Sequence, residues 1–184
     1  MSEFRQTKGV GEDAPGDGVL FLREKQIRLA QELMVLAWRD LGRVIAPALD
    51  ELALGTAQYR VLQMLALHPH LTVGELQDVL GVAKQSLART LGELLERQLV
   101  VAKPGRQDRR QRFLALTDAG QAIEARLFAV QRERLVSAYR EAGGNAVLGF
   151  RQVLRGMLSE ESRIFLASEP SGTDPVKGKM RDGK

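Results

Sequence analysis

Residues 71–100 read LTVGELQDVLGVAKQSLARTLGELLERQLV, and their spacing decides the fold. Thr72 followed by Glu75 is a capping-box pair, in which hydroxyl and carboxylate each satisfy a backbone N–H that the first helical turn leaves without a partner. A helix therefore starts here, with Val73, Leu76, Val79 and Leu80 as its apolar face. Gly81 stops it, because glycine takes the left-handed conformation that closes a helix without steric cost. A second helix runs from Ala83 to about Arg97, where Leu87, Leu91, Leu94 and Leu95 form an inward stripe and Gln85, Ser86, Arg89 and Glu93 fall largely on the other side. Two short helices joined by a tight glycine turn are a helix-turn-helix unit.

Towards the C-terminus the pattern changes to a strand-like Leu99 to Lys103, a turn through Pro104, Gly105 and Asp108, and a second strand from about Arg112 to Leu116. Thr117 then caps a long helix carrying Ala119, Ile123, Leu127 and Val130. After a break at Gly143 and Gly144 comes one last helix with Val147, Phe150, Leu154, Met157, Leu158 and Phe165. Towards the N-terminus, Thr56 caps a short helix with Val61, Leu62, Leu65 and Ala66, which ends at the turn His68, Pro69, His70. Before it, Leu20, Ile27, Ala30, Met34, Ala37, Leu41 and Ile45 mark one long amphipathic helix that Pro47 helps to end. The expected fold is mainly α with a small two-stranded β wing: a winged helix-turn-helix over 56–117, flanked by N- and C-terminal dimerisation helices at 19–47 and 118–168. Together these form a single domain, 19–168, between a flexible Gly-rich arm, 1–18, and a flexible basic tail, 169–184.

Composition narrows the function classes. The chain has 184 residues, 44% hydrophobic and 27% charged, which suits one compact soluble domain. It contains no cysteine, so disulfides, thiolate zinc sites, iron–sulfur clusters and thiol redox sensing are excluded. No uncharged apolar run reaches the roughly 18 residues needed to span a bilayer, and the start is polar and Gly-rich rather than basic then apolar, so no membrane association and a cytoplasmic location are expected. The formal net charge of +4 permits nucleic-acid binding without deciding it. The position of the charge says more: Arg106, Arg109, Arg110 and Arg112 crowd the tip of the β ribbon.

This arrangement suits double-stranded DNA. A major groove about 12 Å wide admits one α-helix, whose exposed side chains must offer hydrogen bonds to base edges. Arg89 has the geometry to address guanine and Gln85 adenine, while Lys84, Ser86 and Thr90 sit where phosphate or base contacts are made. At the ribbon, Arg110 is slender enough for the minor groove, about 6 Å wide, and Asp108 can hold its guanidinium in one rotamer; Arg106 and Arg109 add charge. The long terminal helices carry more apolar surface than the central module covers, so a homodimer is expected, with reading helices one DNA turn apart and half-sites roughly 10 bp apart.

The run quoted above, followed by DRRQRFLALTDAG at 108–120, resembles the MarR family of bacterial winged-helix regulators. The likeness covers the helix-turn-helix, the wing with Asp108 and Arg110, and Leu116 and Thr117 at the start of the next helix; the flanking helices agree in order and length only. It implies an obligate homodimer shaped like a triangle that binds pseudo-palindromic promoter DNA, most often as a repressor, with Ser86 and Arg89 as reading-helix contacts and Asp108 and Arg110 as wing residues. It also implies a small-molecule effector in the cleft between dimer helices and reading module, for which Trp38, Arg39, Arg43 and Tyr59 are the candidate lining. Three positions depart from the family pattern. Ala83 stands where a Thr or Ser cap is common, at a cost of about 1 kcal/mol to the helix. Ala88 replaces a frequent threonine, and Gln98 a frequent helix-ending glycine.

Other classes fare worse. The two histidines, His68 and His70, flank Pro69 in what reads as a solvent-exposed turn, so no metal site is expected. No nucleophile with a base, phosphate-cradling loop or carboxylate pair stands at useful spacing, and Gly9, Gly11 and Gly16 lie in the arm, so neither an enzyme nor a cofactor is expected. The alternative is a winged-helix interaction module that regulates a partner without specific DNA binding; Arg89, Asp108 and Arg110 argue against it.

Overall fold

The computed structural model describes residues 24–104 and 112–167. The arm, the tail and the wing tip with Arg106, Asp108, Arg109 and Arg110 lie outside the described residues. Among the described residues, seven helices and two strands follow in order: α1 (Glu24–Glu51), α2 (Thr56–Leu67), α3 (Val73–Leu80), α4 (Lys84–Glu96), β1 (Val100–Pro104), β2 (Arg112–Leu116), α5 (Asp118–Ala142), α6 (Gly144–Met157) and α7 (Glu160–Ala167). The described residues up to Trp38 form one unit and the described residues from Arg39 onward another.

In the first unit, Ile27, Leu33, Val35 and Trp38 are exposed, and Glu24 pairs with Arg28 one turn on. The core of the second unit is built from Ile45 and Leu49 of α1, Val61, Leu62 and Leu65 of α2, Leu76 of α3, Leu87, Leu91 and Leu94 of α4, Leu114 of β2 and Leu127 of α5. Leu95, placed on the inward stripe by periodicity, is exposed.

Pro47 does not end α1; it lies inside it. Proline removes one helical hydrogen bond and crowds the carbonyl four residues back, at a cost of about 3 kcal/mol. On either side, however, Ile45 and Leu49 are fully buried, and each contributes roughly 1.5–3 kcal/mol. Packing therefore carries the helix past the proline. It closes at Ala53, which takes a left-handed φ of 49°, while Leu54 N–H donates to the Leu49 carbonyl at 2.9 Å and Ala53 N–H to that of Asp50 at 3.0 Å. This is a Schellman ending made without glycine.

The N-cap of α2 is Gly55 rather than Thr56, and the Gln58 side chain accepts the Gly55 N–H. Thr72 and Glu75 form the expected capping box, with Thr72 N–H donating to the Glu75 carboxylate at 2.7 Å, and Gly81 closes α3 at φ 61°. β1 and β2 pair antiparallel with Val100 opposite Leu116, the first strand beginning at Val100 rather than Leu99. Segment 70–72 also joins the edge of β2: His70 N–H donates to Leu114 O at 3.1 Å, and Leu114 N–H to Leu71 O at 2.8 Å. His70 is exposed with φ 77°, but His68 is buried, its ring 4.6 Å from that of Phe165. The exposed-turn reading thus fails for His68, because α7 covers it. The single last helix is two: α6 ends at Met157, and the Ser159 hydroxyl accepts the Ser162 N–H to begin α7.

One close approach fixes α5 against the ribbon. The Thr117 hydroxyl donates to Gln98 O at 2.7 Å and accepts from Gly120 N at 3.0 Å. A Cβ on Gly120 would stand 2.0 Å from Leu99 O, a backbone atom with no slack. Gly120→Ala is therefore expected to destabilise the fold by about 2–3 kcal/mol, a fall in Tm of roughly 5–10 °C by calorimetry. An unchanged Tm would show that the contact yields.

Candidate nucleic-acid interface

The turn at Gly81 sets α4 so that Leu87, Leu91 and Leu94 enter the core and Lys84, Gln85, Ser86 and Arg89 face solvent. The N-cap, Ala83, offers no side-chain bond, so the first-turn N–H groups have no side-chain cap. Thr90 differs from its neighbours: it is half-buried and its hydroxyl donates to the Ser86 carbonyl at 3.0 Å. At the far end Gln98 takes φ 55°, and Leu99 N–H donates to the Leu94 carbonyl at 3.0 Å. This is a second Schellman ending, at the position where the family pattern has glycine.

Arg89 is 85% exposed in its side chain, and its Nε donates to Glu93 Oε1 at 3.2 Å. Glu93 Oε2 in turn accepts from Gln58 Nε2 of α2 at 2.7 Å. One turn further on, Arg97 donates through both Nη atoms to carbonyls at the end of α1, 2.7 Å to Ala53 and 2.8 Å to Leu52. Sequence reasoning placed Glu93 on the solvent face and gave Gln58 and Arg97 no role. Gln58 had a faint local signal, standing three residues after Gly55 as a capping glutamine does; Arg97 had none, since its partners lie more than forty residues away.

Lys103 and Arg112 are exposed on the strands that lead into the wing tip. Of the residues proposed for an effector, Trp38 is 66% exposed in the first unit. Arg39 and Arg43 both lie against Asp40, and the Arg39 hydrogen bond holds that carboxyl below its usual range. Tyr59 is buried, and its hydroxyl donates to Gln131 of α5 at 2.9 Å. Among the described residues, no group of three or more His, Asp or Glu is placed to hold a metal ion, and no helix is long and apolar enough to cross a membrane.

A three-helix module whose last helix is exposed along its polar face, followed by a two-stranded ribbon, defines a winged helix-turn-helix protein. The MarR family model matches residues 54–111. The HTH-type transcriptional regulator PetP of Rhodobacter capsulatus is 42% identical over 148 residues, 80% of this chain and 89% of that protein. A MarR-family transcriptional regulator of Silicibacter pomeroyi, solved by crystallography, matches with TM-score 0.63 and 26% identity over 70% of this chain and 87% of its own. A point mutant of S. aureus MepR bound to an oligodeoxyribonucleotide shares the fold at TM-score 0.50 and 18% identity, over 76% of this chain and 91% of that one. The chain belongs to the MarR family of transcriptional regulators.

Burial, helped by the nearby Glu124 charge, pushes the Tyr59 phenol up to about 12. The folded state therefore holds this proton more tightly than the unfolded chain, whose tyrosine titrates near 10. The resulting stability is complete below about pH 10 and is lost as pH rises towards 12. Tyr59→Phe should remove the later phase of phenolate absorbance and flatten this part of the stability profile. A single titration step unaltered by the substitution would contradict the assignment.

Proposed function

We propose that the protein binds double-stranded DNA sequence-specifically as a homodimer, at a pseudo-palindromic promoter site and in the cytoplasm, acting as a repressor as is typical of the family. The observation that carries this reading is α4, whose inner face is locked by three buried leucines while Lys84, Gln85, Ser86 and Arg89 stand free of the core on its outer face. That is the form a major-groove reader requires. The exposed Lys103 and Arg112, with Arg106, Arg109 and Arg110 between them in sequence, supply the phosphate and minor-groove contacts in this reading, and Asp108 orients the Arg110 guanidinium. MepR bound to an oligodeoxyribonucleotide, a protein of the same fold, supports DNA as the ligand.

Homodimerisation draws support from α6, which exposes Phe150, Val153, Leu154 and Met157 at helical spacing. An exposed apolar stripe along one helix face suits burial against a second copy. The effector reading gains nothing from Tyr59, whose hydroxyl is committed to Gln131.

Gel shifts on the DNA upstream of the protein's own gene, with excess nonspecific competitor, test the DNA reading. Arg89→Ala and Arg110→Ala should each weaken the specific complex, Arg89→Ala by roughly 5- to 150-fold, the worth of a bidentate base contact. If neither that DNA nor a genome-wide selection yields a complex above random DNA, the partner-binding alternative replaces it. For the dimer, Val153→Glu combined with Met157→Glu should give a folded monomer by sedimentation and abolish operator binding. A dimer of unchanged mass would place the interface elsewhere.

A further inference from the structure

We propose that Glu93 is the positioning residue for Arg89, setting which base the arginine reads, and that Gln58 holds Glu93 to this task; the inference rests on the reading of Arg89 as a base contact. An exposed Arg–Glu pair one helical turn apart is usually a fluctuating contact of little consequence. Here the carboxylate is engaged on both oxygens. Oε1 accepts from Arg89 Nε and Oε2 from Gln58 Nε2, and the Glu93 side chain is 42% exposed against 85% for Arg89. Rotating the carboxylate would break the bond to α2.

Gln58 is fixed as well. Its carboxamide must turn the NH2 towards a carboxylate, which only accepts, and its oxygen towards the Gly55 N–H, which only donates. The amide thus has a single orientation that satisfies both partners. A directed run of hydrogen bonds passes from the backbone at Gly55, through Gln58 and Glu93, to the guanidinium of Arg89. With Nε engaged, the Nη1 and Nη2 donors remain for the guanine edge. The arginine meets the groove with part of its rotamer freedom already lost, which favours the one base that matches its direction.

Glu93 is also a negative charge beside a surface proposed to face phosphates, where it opposes DNA binding of any sequence. A residue kept for positioning at that cost has a distinctive signature. Glu93→Ala should weaken discrimination between the operator and the operator changed at the Arg89 base by about tenfold. Affinity for random DNA of the same length should stay level or rise. Gln58→Ala, which leaves every charge in place, should lower discrimination in the same direction, and Glu93→Gln should retain part of it. In an Arg89→Ala background, Glu93→Ala should have no further effect on discrimination.

These affinities are measured by fluorescence anisotropy with the full-length protein and a site selected by the wild type, with melting curves for each variant. Equal losses on operator and random DNA, or the same loss with Arg89 already removed, would overturn the positioning role. If Arg89→Ala alone leaves discrimination intact, the base-reading role of Arg89 falls, and the inference falls with it.

Discussion

The burial of Leu87, Leu91 and Leu94 along one face of α4 is the constraint on which the remaining structure depends. The face of α4 that carries Lys84, Gln85, Ser86 and Arg89 is exposed, so it buries no apolar surface to hold the helix in place. At roughly 1.5–3 kcal/mol for each buried leucine, the stripe supplies the anchoring that the exposed face cannot. α2, α3 and the ribbon then have a common task, to provide the surface into which the stripe packs. The glycine at position 120 belongs to the same task, since it lets α5 close directly on the Leu99 carbonyl.

Burial fixes which way α4 faces, and polar contacts towards its C-terminal end tie it to its neighbours. Arg97 reaches the carbonyls of Leu52 and Ala53, and Glu93 reaches Gln58, so two side chains one turn apart tie α4 to the junction of α1 and α2. Both α1 and α4 end in left-handed residues that are not glycine, Ala53 and Gln98. Such conformations cost non-glycine residues of order 1 kcal/mol. At Ala53 the charged bond from Arg97 offsets that cost; at Gln98 the carbonyl accepts the Thr117 hydroxyl.

These contacts also mark where the sequence was legible. The helix-turn-helix could be read because its signals are local: Thr72 with Glu75 and the glycine at 81 carry their own chemistry within a few residues. Pro47 was misread because its helix is sustained by the burial of Ile45 and Leu49, which no local propensity reveals. The break between α6 and α7 was hidden by apolar residues that keep helical spacing across it, although Ser159 ahead of Glu160 and Glu161 is a helix-start signal. Lys84, Gln85, Ser86 and Arg89 were legible as a face from periodicity alone. Thr90 looked like a member of that face, but its hydroxyl turns back to the Ser86 carbonyl. Gln58, Glu93 and Arg97 acquire their partners only when α1, α2 and α4 converge, so a linear reading could not assign them.

The charge order of α4 shows which demand prevailed where stability and function differ. A helix is stabilised by acidic groups near its N-terminus and basic groups near its C-terminus, each by about 0.3–1 kcal/mol. α4 has the reverse: Lys84 opens it, Arg89 follows, and Glu93 and Glu96 lie towards its end, with no acid in the first turn and no base in the last. Ala83 adds no capping hydroxyl to compensate. The two bases and two acids also cancel, so α4 brings no net attraction to a phosphate backbone, whereas the segment 106–112 concentrates four arginines. On the proposed mode of DNA binding, affinity of the sequence-independent kind falls to the segment 106–112 and discrimination to α4. A helix designed for stability alone would exchange the two ends of its charge pattern, and in the proposed complex that would set carboxylates at the end that faces the groove.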